Sequence, residues 1–547
     1  MFVRVKDRPN GKKSIQIVEA YRRADKVSQR IIRHVGQAVS DREVEELKKL
    51  ANSIIIETKN NKQPVLPLFA PEDFYASRKR KKPSDDMISM SDLREEQRII
   101  DGVGEVFGKL YSDLGFDSLL SATRKDAKWN SILKTCVMAR VANPVSKRRT
   151  AALLEEDYGI KIDLDDIYTM MDHVANHEDD LKKQVASSTL SLFNHKVDVL
   201  FFDVTTLYFE SIEAGDLKDF GFSKDCKFKE VQVTLALVTT TEGLPITYRV
   251  FPGNMYEGHT LLGMVQELKT EYEIENVLLV ADRAMFNEDN LKAMEDLKIN
   301  YIVAARLMNL EKQTKAKILE DVGYTAAVVA EELHWLREFD YKARRLIVSY
   351  SSKRAKKDVA DRLRLVERLQ KKVKDGKIKL TDLISNHGTK KYIKVEKGDA
   401  IINEEKISAD SKWDGLHGVI TNLEKTPAVE ILEKYRGLWQ IEEAFRINKH
   451  DLKMRPIYHY TTPRIRAHLA ICFLAFTLAK QATHRLRLQQ RAMSFERIRN
   501  ELLHVQSSLV IDRKTKKRYL IPAHVNPAQS QIYRAFGLKR STVPSQI

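Results

Sequence analysis

The sequence predicts an α/β protein. A mixed sheet with helical cover is interrupted by an inserted segment and preceded by a small β-hairpin module and a helical domain. Three observations carry this reading. Two short, fully apolar runs, Val199 to Phe202 and Val277 to Ala281, read as strands buried on both faces, and each is followed by an aspartate. Between and after them, helical patterns over Thr260 to Leu268 and Asn287 to Leu297 alternate with strand-like segments. From Asp92 to about Phe193, by contrast, the periodicity is helical throughout.

The elements follow in order. Phe2 to Val5 and Ser14 to Val18 flank Pro9-Asn10-Gly11-Lys12, and Asn-Gly between alternating segments signals a hairpin. A third strand is expected over Val27 to His34. A helix is expected from Ser40, with Glu43 completing a capping box, to about Ile56. Residues 57–90 lack periodicity and hold four prolines and the run Arg78-Lys79-Arg80-Lys81-Lys82, so they read as a linker. In the helical domain, Lys147-Arg148-Arg149 opens one helix and Asp165 to Val174 forms another. Its basic edge suits DNA contact and suits a structural bundle equally. Gly102, Gly104 and Gly108 sit in a helical pattern and do not make a dinucleotide fingerprint.

In the sheet region, Val231 to Thr240 and Thr247 to Phe251 are strands joined through Glu242-Gly243-Leu244-Pro245, and Tyr301 to Ala304 is a further strand. Residues 305–425 break the alternation. Within them Lys353 to Asp375 is a basic helix whose apolar seam is Val359, Leu363, Val366, Leu369 and Val373, with Gly376 as its stop. Long helices return over 428–490, and the basic tail beyond 491 carries no assigned fold. The domain boundaries are therefore a sheet-plus-helix module at 1–57, a basic linker at 58–91, helices at 92–195, the two halves of the core at 196–304 and 426–490, an insertion at 305–425 and a basic region at 491–547.

The 93 lysines and arginines outnumber 76 acids, leaving a net charge of +17 that points to a polyanionic partner. Cys136, Cys226 and Cys472 are too few and too scattered for a disulfide scaffold or a zinc ribbon. The N-terminus has no apolar signal region, and the apolar stretch Ala467 to Ala479 is too short to span a bilayer and contains His468 and Thr477. A soluble, basic protein of a reducing compartment is expected, with no membrane partner.

The chemistry concentrates in carboxylates. Asp203 and Asp282 each terminate an apolar run, where a side chain meets the crevice at the sheet edge, and clustered carboxylates suit hard divalent cations. A third element spans Tyr435 to Lys449. Helical geometry puts Leu438, Ile441, Phe445 and Leu452 on a buried stripe and aligns Tyr435, Glu442 and Lys449 beside it. An ion-paired surface face, with Glu442 and Arg446 as an ordinary pair, is the alternative.

These residues resemble the DDE transposases of bacterial insertion sequences. The branch that fits is the one whose third acidic motif reads Tyr-x2-Arg-x3-Glu-x6-Lys. Tyr435, Glu442 and Lys449 match its spacing, Leu438 stands at the arginine position, and Arg436 and Arg446 lie nearby. Asp203 in Phe-Phe-Asp-Val-Thr-Thr and Asp282-Arg283 in Val-Ala-Asp-Arg match the first and second motifs. Gly221 to Asp225, Gly243-Leu244-Pro245 and Gly253-Asn254 resemble the branch's central region. The resemblance implies an RNase H-like catalytic fold split by an insertion. Asp282 follows Asp203 by 79 residues and Glu442 follows Asp282 by 160, and the second gap is too long for one crossover helix.

The resemblance also implies DNA hydrolysis and strand transfer. Asp203, Asp282 and Glu442 would hold two Mg²⁺ ions, with Mn²⁺ able to substitute. Tyr435, Arg436, Arg446, Lys449, Arg283 and Trp413 would face DNA, with Trp335 an alternative stacking residue. It further implies double-stranded element ends and target DNA as partners, a homodimer assembled on DNA, and a nucleoid-associated place in the bacterial cytoplasm. Rival readings are a transposase-derived DNA-binding protein that does not cut, and an RNase H-like nuclease that does not join strands.

Overall fold

The computed structural model describes the chain apart from residues 1, 9–11, 24–25, 39, 61–87, 121–125, 194–198, 222–228, 256–259, 273–277, 286, 375–390 and 397–398. The expected hairpin turn, most of the linker with its basic run, the part of the central motif from Phe222 to Asp225, Cys226 and the stop at Gly376 therefore lie outside the described residues.

At the N-terminus β1 (Phe2–Asp7), β2 (Lys13–Arg23) and β3 (Lys26–Ala38) form an antiparallel sheet, and the helix Asp41–Asn60 packs on it. Ser40 Oγ accepts the Glu43 amide, 3.3 Å, as the capping pattern requires. Ile15, Ile17, Val35, Val44, Leu47 and Ile55 bury a small core of their own, closed on one side by Leu488.

The segment expected to be helical from 92 opens instead with a strand, β4 (Leu93–Ile100), before the helices Gly102–Asp113, Ala127–Ala142, Lys147–Tyr158, Leu164–Asn176 and Glu178–Ser191.

The central sheet begins with β5 (Val199–Tyr208), β6 (Gln232–Thr240) and β7 (Pro245–Pro252), an antiparallel meander. The helix Thr260–Tyr272 leads to β8 (Leu278–Ala281), and the helix Glu288–Asp296 leads to β9 (Asn300–Ala304). Both β8 and β9 run parallel in the sheet, β8 against β5 and β9 against β8. The order β7-β6-β5-β8-β9 is the RNase H-like arrangement.

Side-chain alternation explains why the apolar residues of β5 are buried on both of its faces. Phe201 and Leu207 enter the core beneath the helical domain, while Leu200, Phe202 and Val204 enter the core on the opposite face. Gly253 follows β7 where backbones cross closely: a Cβ there would run into the carbonyl oxygens of Gln232 and Asp219. Gly253→Ala is expected to lower stability by about 1–3 kcal/mol or more, read as a shift in denaturant midpoint.

The insertion is not a separate body. β10 (Thr325–Val329), β11 (Glu332–Tyr341) and β12 (Arg344–Tyr350) extend the same sheet. β13 (Ile393–Glu396) and β14 (Asp399–Ile402) form a two-stranded ribbon. β15 (Leu416–Thr421) then returns between β9 and β12, making nine strands in all.

The basic helix Ser352–Lys374 docks on a face rotated from the expected seam. Leu369 is buried, but Val359 and Leu363 are exposed. Arg362 instead pairs in bidentate fashion with Asp414, and Asp358 accepts the Gly415 amide at 3.0 Å. Polar anchors set the rotation of this helix, which an apolar pattern cannot reveal.

The helices Ala428–Arg436 and Trp439–Arg446 and the π-turn Ile447–Asp451 precede the helix Thr462–Leu488. That last helix is long and apolar enough by composition to cross a membrane, yet it is the buried axis of the main core, packed against the helical domain. The tail is folded too: β16 (Gln506–Asp512) pairs with β4 and with β17 (Arg518–Pro522), and β17 pairs with the short β18 (Ser545–Gln546). Buried Arg540 joins Asp101 (2.8 Å) and Glu105 (3.2 Å), fastening the C-terminus to the first helix of the helical domain.

Candidate active site

The register between β5 and β8 builds the site. Phe201 lies opposite Val280 and Phe202 opposite Ala281. Asp203 and Asp282 are the next residues along the two chains, so the register brings them to neighbouring positions just past the last paired residues. β8 ends there, but β5 runs on to Tyr208 against β6. Asp203 thus lies within its strand and not at its end, as the sequence suggested; what ends beside it is its neighbour. The missing partner opens the sheet above the two acids. Each carboxylate accepts the amide of the next residue, Val204 at 2.7 Å and Arg283 at 2.6 Å, which fixes its orientation.

The third acid comes from the helix Trp439–Arg446, which packs on β5 and β6. Leu438, Ile441, Phe445 and Leu452 are buried as the stripe requires. Tyr435, Glu442 and Lys449, however, do not share one continuous helix. The chain breaks at Gly437, where a Cβ would strike the Phe201 ring, and widens to a π-turn at Ile447.

Tyr435 nevertheless senses the charge of two of the acids. Burial, and next the charge of Asp282, holds its phenol above the ordinary value; Arg354 opposes this and Glu442 adds to it. The hydroxyl therefore stays protonated, a donor for carboxylate or phosphate oxygen. Its ring lies 4.9 Å from that of His417, whose pKa is pushed down to about 3 by burial and by Arg354, His334 and Arg283. Arg354, His334 and His417 escaped the sequence reading because β11, β15 and the basic helix deliver them from far along the chain, with no motif spacing to mark them.

The adjacent glutamates take different parts. Glu442 is exposed. Glu443 does not point to solvent or to another chain, as the helical wheel suggests; it is half-buried and pairs with Lys480 of the long helix at 2.8 Å. Neither arginine near Leu438 replaces the motif's missing charge. Arg436 donates to the Val329 carbonyl at 2.8 Å and pairs with Glu332 at 3.3 Å, and Arg446 pairs with Asp451 at 3.3 Å. Leu438 is buried.

Arg283 is exposed and Lys449 half-buried. Trp413 is partly buried against the second core beside Leu416, whereas Trp335 on β11 is 45% exposed. Among the described residues no three acidic, imidazole or thiol groups are already gathered around one point. The candidate donors are nonetheless all hard oxygen, the carboxylates of Asp203, Asp282 and Glu442, which fits divalent cations.

A profile of the transposase DDE domain matches residues 195–478, and one of the IS1634 family transposase N-terminal domain matches residues 2–64. Among solved structures, a cryo-EM piggyBac transposase synaptic complex with hairpin DNA aligns over 73% of this chain and 76% of its own, at 9% identity and a TM-score of 0.38. No curated protein matches.

Proposed function

The chain belongs to the transposase DDE domain family, whose profile spans just over half of it, and from that premise we propose that Asp203, Asp282 and Glu442 are its catalytic acids. An insertion-sequence transposase of this family cuts and joins DNA by phosphoryl transfer with divalent metal ions, so DNA is its substrate and partner. The observation that supports the assignment is the β5–β8 register, which sets two motif aspartates side by side where the sheet opens.

The three carboxylates would hold two ions, Mg²⁺ or in its place Mn²⁺. Such a pair, when bound, activates the attacking oxygen and neutralises charge on the leaving one. Water attack on the end phosphodiester breaks the bond to the 3′ oxygen. The 3′-OH so released attacks a target phosphodiester in turn and displaces its 3′ oxygen. The protonated Tyr435 hydroxyl would donate to a non-bridging phosphate oxygen, and Arg283 and Lys449 would offset phosphate charge. No side chain need act as nucleophile: the described cysteines, Cys136 and Cys472, are buried, and burial pushes the Cys136 thiol up to about 11.

Cutting two ends in concert calls for a homodimer on DNA, working in the bacterial cytoplasm where that DNA lies. The test is to incubate the protein with its own element-end DNA and Mg²⁺ and to size the products. Nicked ends and joined strands are expected. Nicks without joining would leave a nuclease, and intact DNA that is still bound would leave a DNA-binding protein.

Binding itself should weaken steeply with salt, since a +17 chain displaces many counterions from phosphate. The log of the affinity for any duplex is expected to fall roughly linearly with log salt, with a smaller specific increment for element ends. A flat titration would show that the excess charge faces away from DNA.

A further inference from the structure

Beyond the acids, β5 leads to a surface that the cleavage chemistry does not use. Residues 452–461 leave the π-turn and join the end of β5: the Ile457 amide donates to the Tyr208 carbonyl at 3.1 Å, and Ile457 bridges Phe209. The segment is held from beneath. Arg499 donates to the Asp451 carbonyl at 2.7 Å, Arg140 to Leu452 at 3.4 Å, and His468 lies 3.0 Å from the Met454 carbonyl. Leu452, Met454 and Ile457 fill the core below.

With its inner side committed, the segment turns its aromatic rings outward. Tyr458 is 51% and Tyr460 69% exposed, although Tyr ordinarily buries its ring. Cations back these rings: Lys218, itself buried, brings Nζ to 5.3 Å from the centre of Tyr460, and half-buried Arg455 brings Cζ to 5.4 Å from that of Tyr208. Exposed rings interleaved with cations suit bases and phosphates together. Tyr208 is five residues beyond Asp203 on one strand, about 17 Å, or about five nucleotides of stacked DNA.

We propose that residues 452–461 form a stacking platform for unpaired nucleotides beside the DNA end being cut, with Tyr458 and Tyr460 receiving bases and Arg455 receiving a phosphate. The location relative to the cut rests on the catalytic assignment above; the binding preference does not.

The test uses the full chain in chelator, so that no cleavage intervenes. Affinity is compared for a duplex with a short unpaired thymidine tail and for the same duplex blunt. The wild type should prefer the tailed DNA. Tyr458→Ala with Tyr460→Ala should lose roughly fivefold or more on the tailed duplex and less than about twofold on the blunt one. The paired Phe variants should keep the preference, because rings and not hydroxyls carry it. Thermal unfolding confirms that the Ala pair is folded; if it is not, Tyr460→Ala alone, at the more exposed site, reads the same difference.

Equal losses on both DNAs, no preference in the wild type, or failure of the Phe pair alongside the Ala pair would each overturn the platform. Asp203→Asn should retain the preference, so an error in the catalytic assignment leaves this result intact.

Discussion

Asp203→Asn and Asp282→Asn are each expected to bind element-end DNA and fail to cut it. Asparagine keeps the shape and an acceptor oxygen, so the bonds from the Val204 and Arg283 amides can persist and the fold with them. What disappears is one negative charge from a pair of neighbouring strand carboxylates, and with it the affinity for divalent ions. Losing one preorganised electrostatic group costs roughly 10²–10³-fold in rate, and a residue that would hold a catalytic metal should cost at least that. Single-turnover cleavage of end-labelled DNA, with binding measured in parallel, checks it. Retention of even about a tenth of wild-type cleavage, well short of that loss, would remove the residue from the site.

Glu442→Gln should abolish cleavage with Mg²⁺, while Glu443→Gln should leave most of it. Exposed Glu442 lies within electrostatic reach of Tyr435, which also senses Asp282. Glu443 is already engaged by Lys480, whose side chain is only 6% exposed and whose charged form is disfavoured by burial. Weakening that pair should cost stability of about 1–3 kcal/mol, seen as a lower unfolding temperature, with chemistry largely kept. The two variants therefore separate a catalytic effect from a structural one. If Glu443→Gln were the inactive one, the third acid would be misassigned.

Much of this site is legible in the linear chain because its chemistry is local. An apolar run followed by aspartate reads as a buried strand meeting a crevice, and it does so at both Asp203 and Asp282. The stripe of Leu438, Ile441, Phe445 and Leu452 reads as a helix laid on a sheet, and all four residues are buried. The same local logic finds the N-terminal sheet, the Ser40 cap and the β6–β7 turn.

Other features depend on contacts between distant residues. The adjacency of the two aspartates is a matter of register between β5 and β8, and no spacing along the chain encodes it. β4 looks like the start of a helical region because its partner, β16, comes more than four hundred residues later. The tail looks unstructured for the same reason until Arg540 meets Asp101 and Glu105. The insertion looks separable until β15 slots between β9 and β12.

By itself, then, the sequence determined the types of the strongly periodic elements, the aspartates that follow two apolar runs and the buried stripe beside Glu442, since periodicity and short-range sterics act within a few residues. Only the tertiary structure showed that Glu443 is held by Lys480, how β5 and β8 are registered, and which rings remain outside the core. Strand register, long-range ion pairs and the rotation of a docked helix are set by pairwise contacts whose partners lie far apart in the chain.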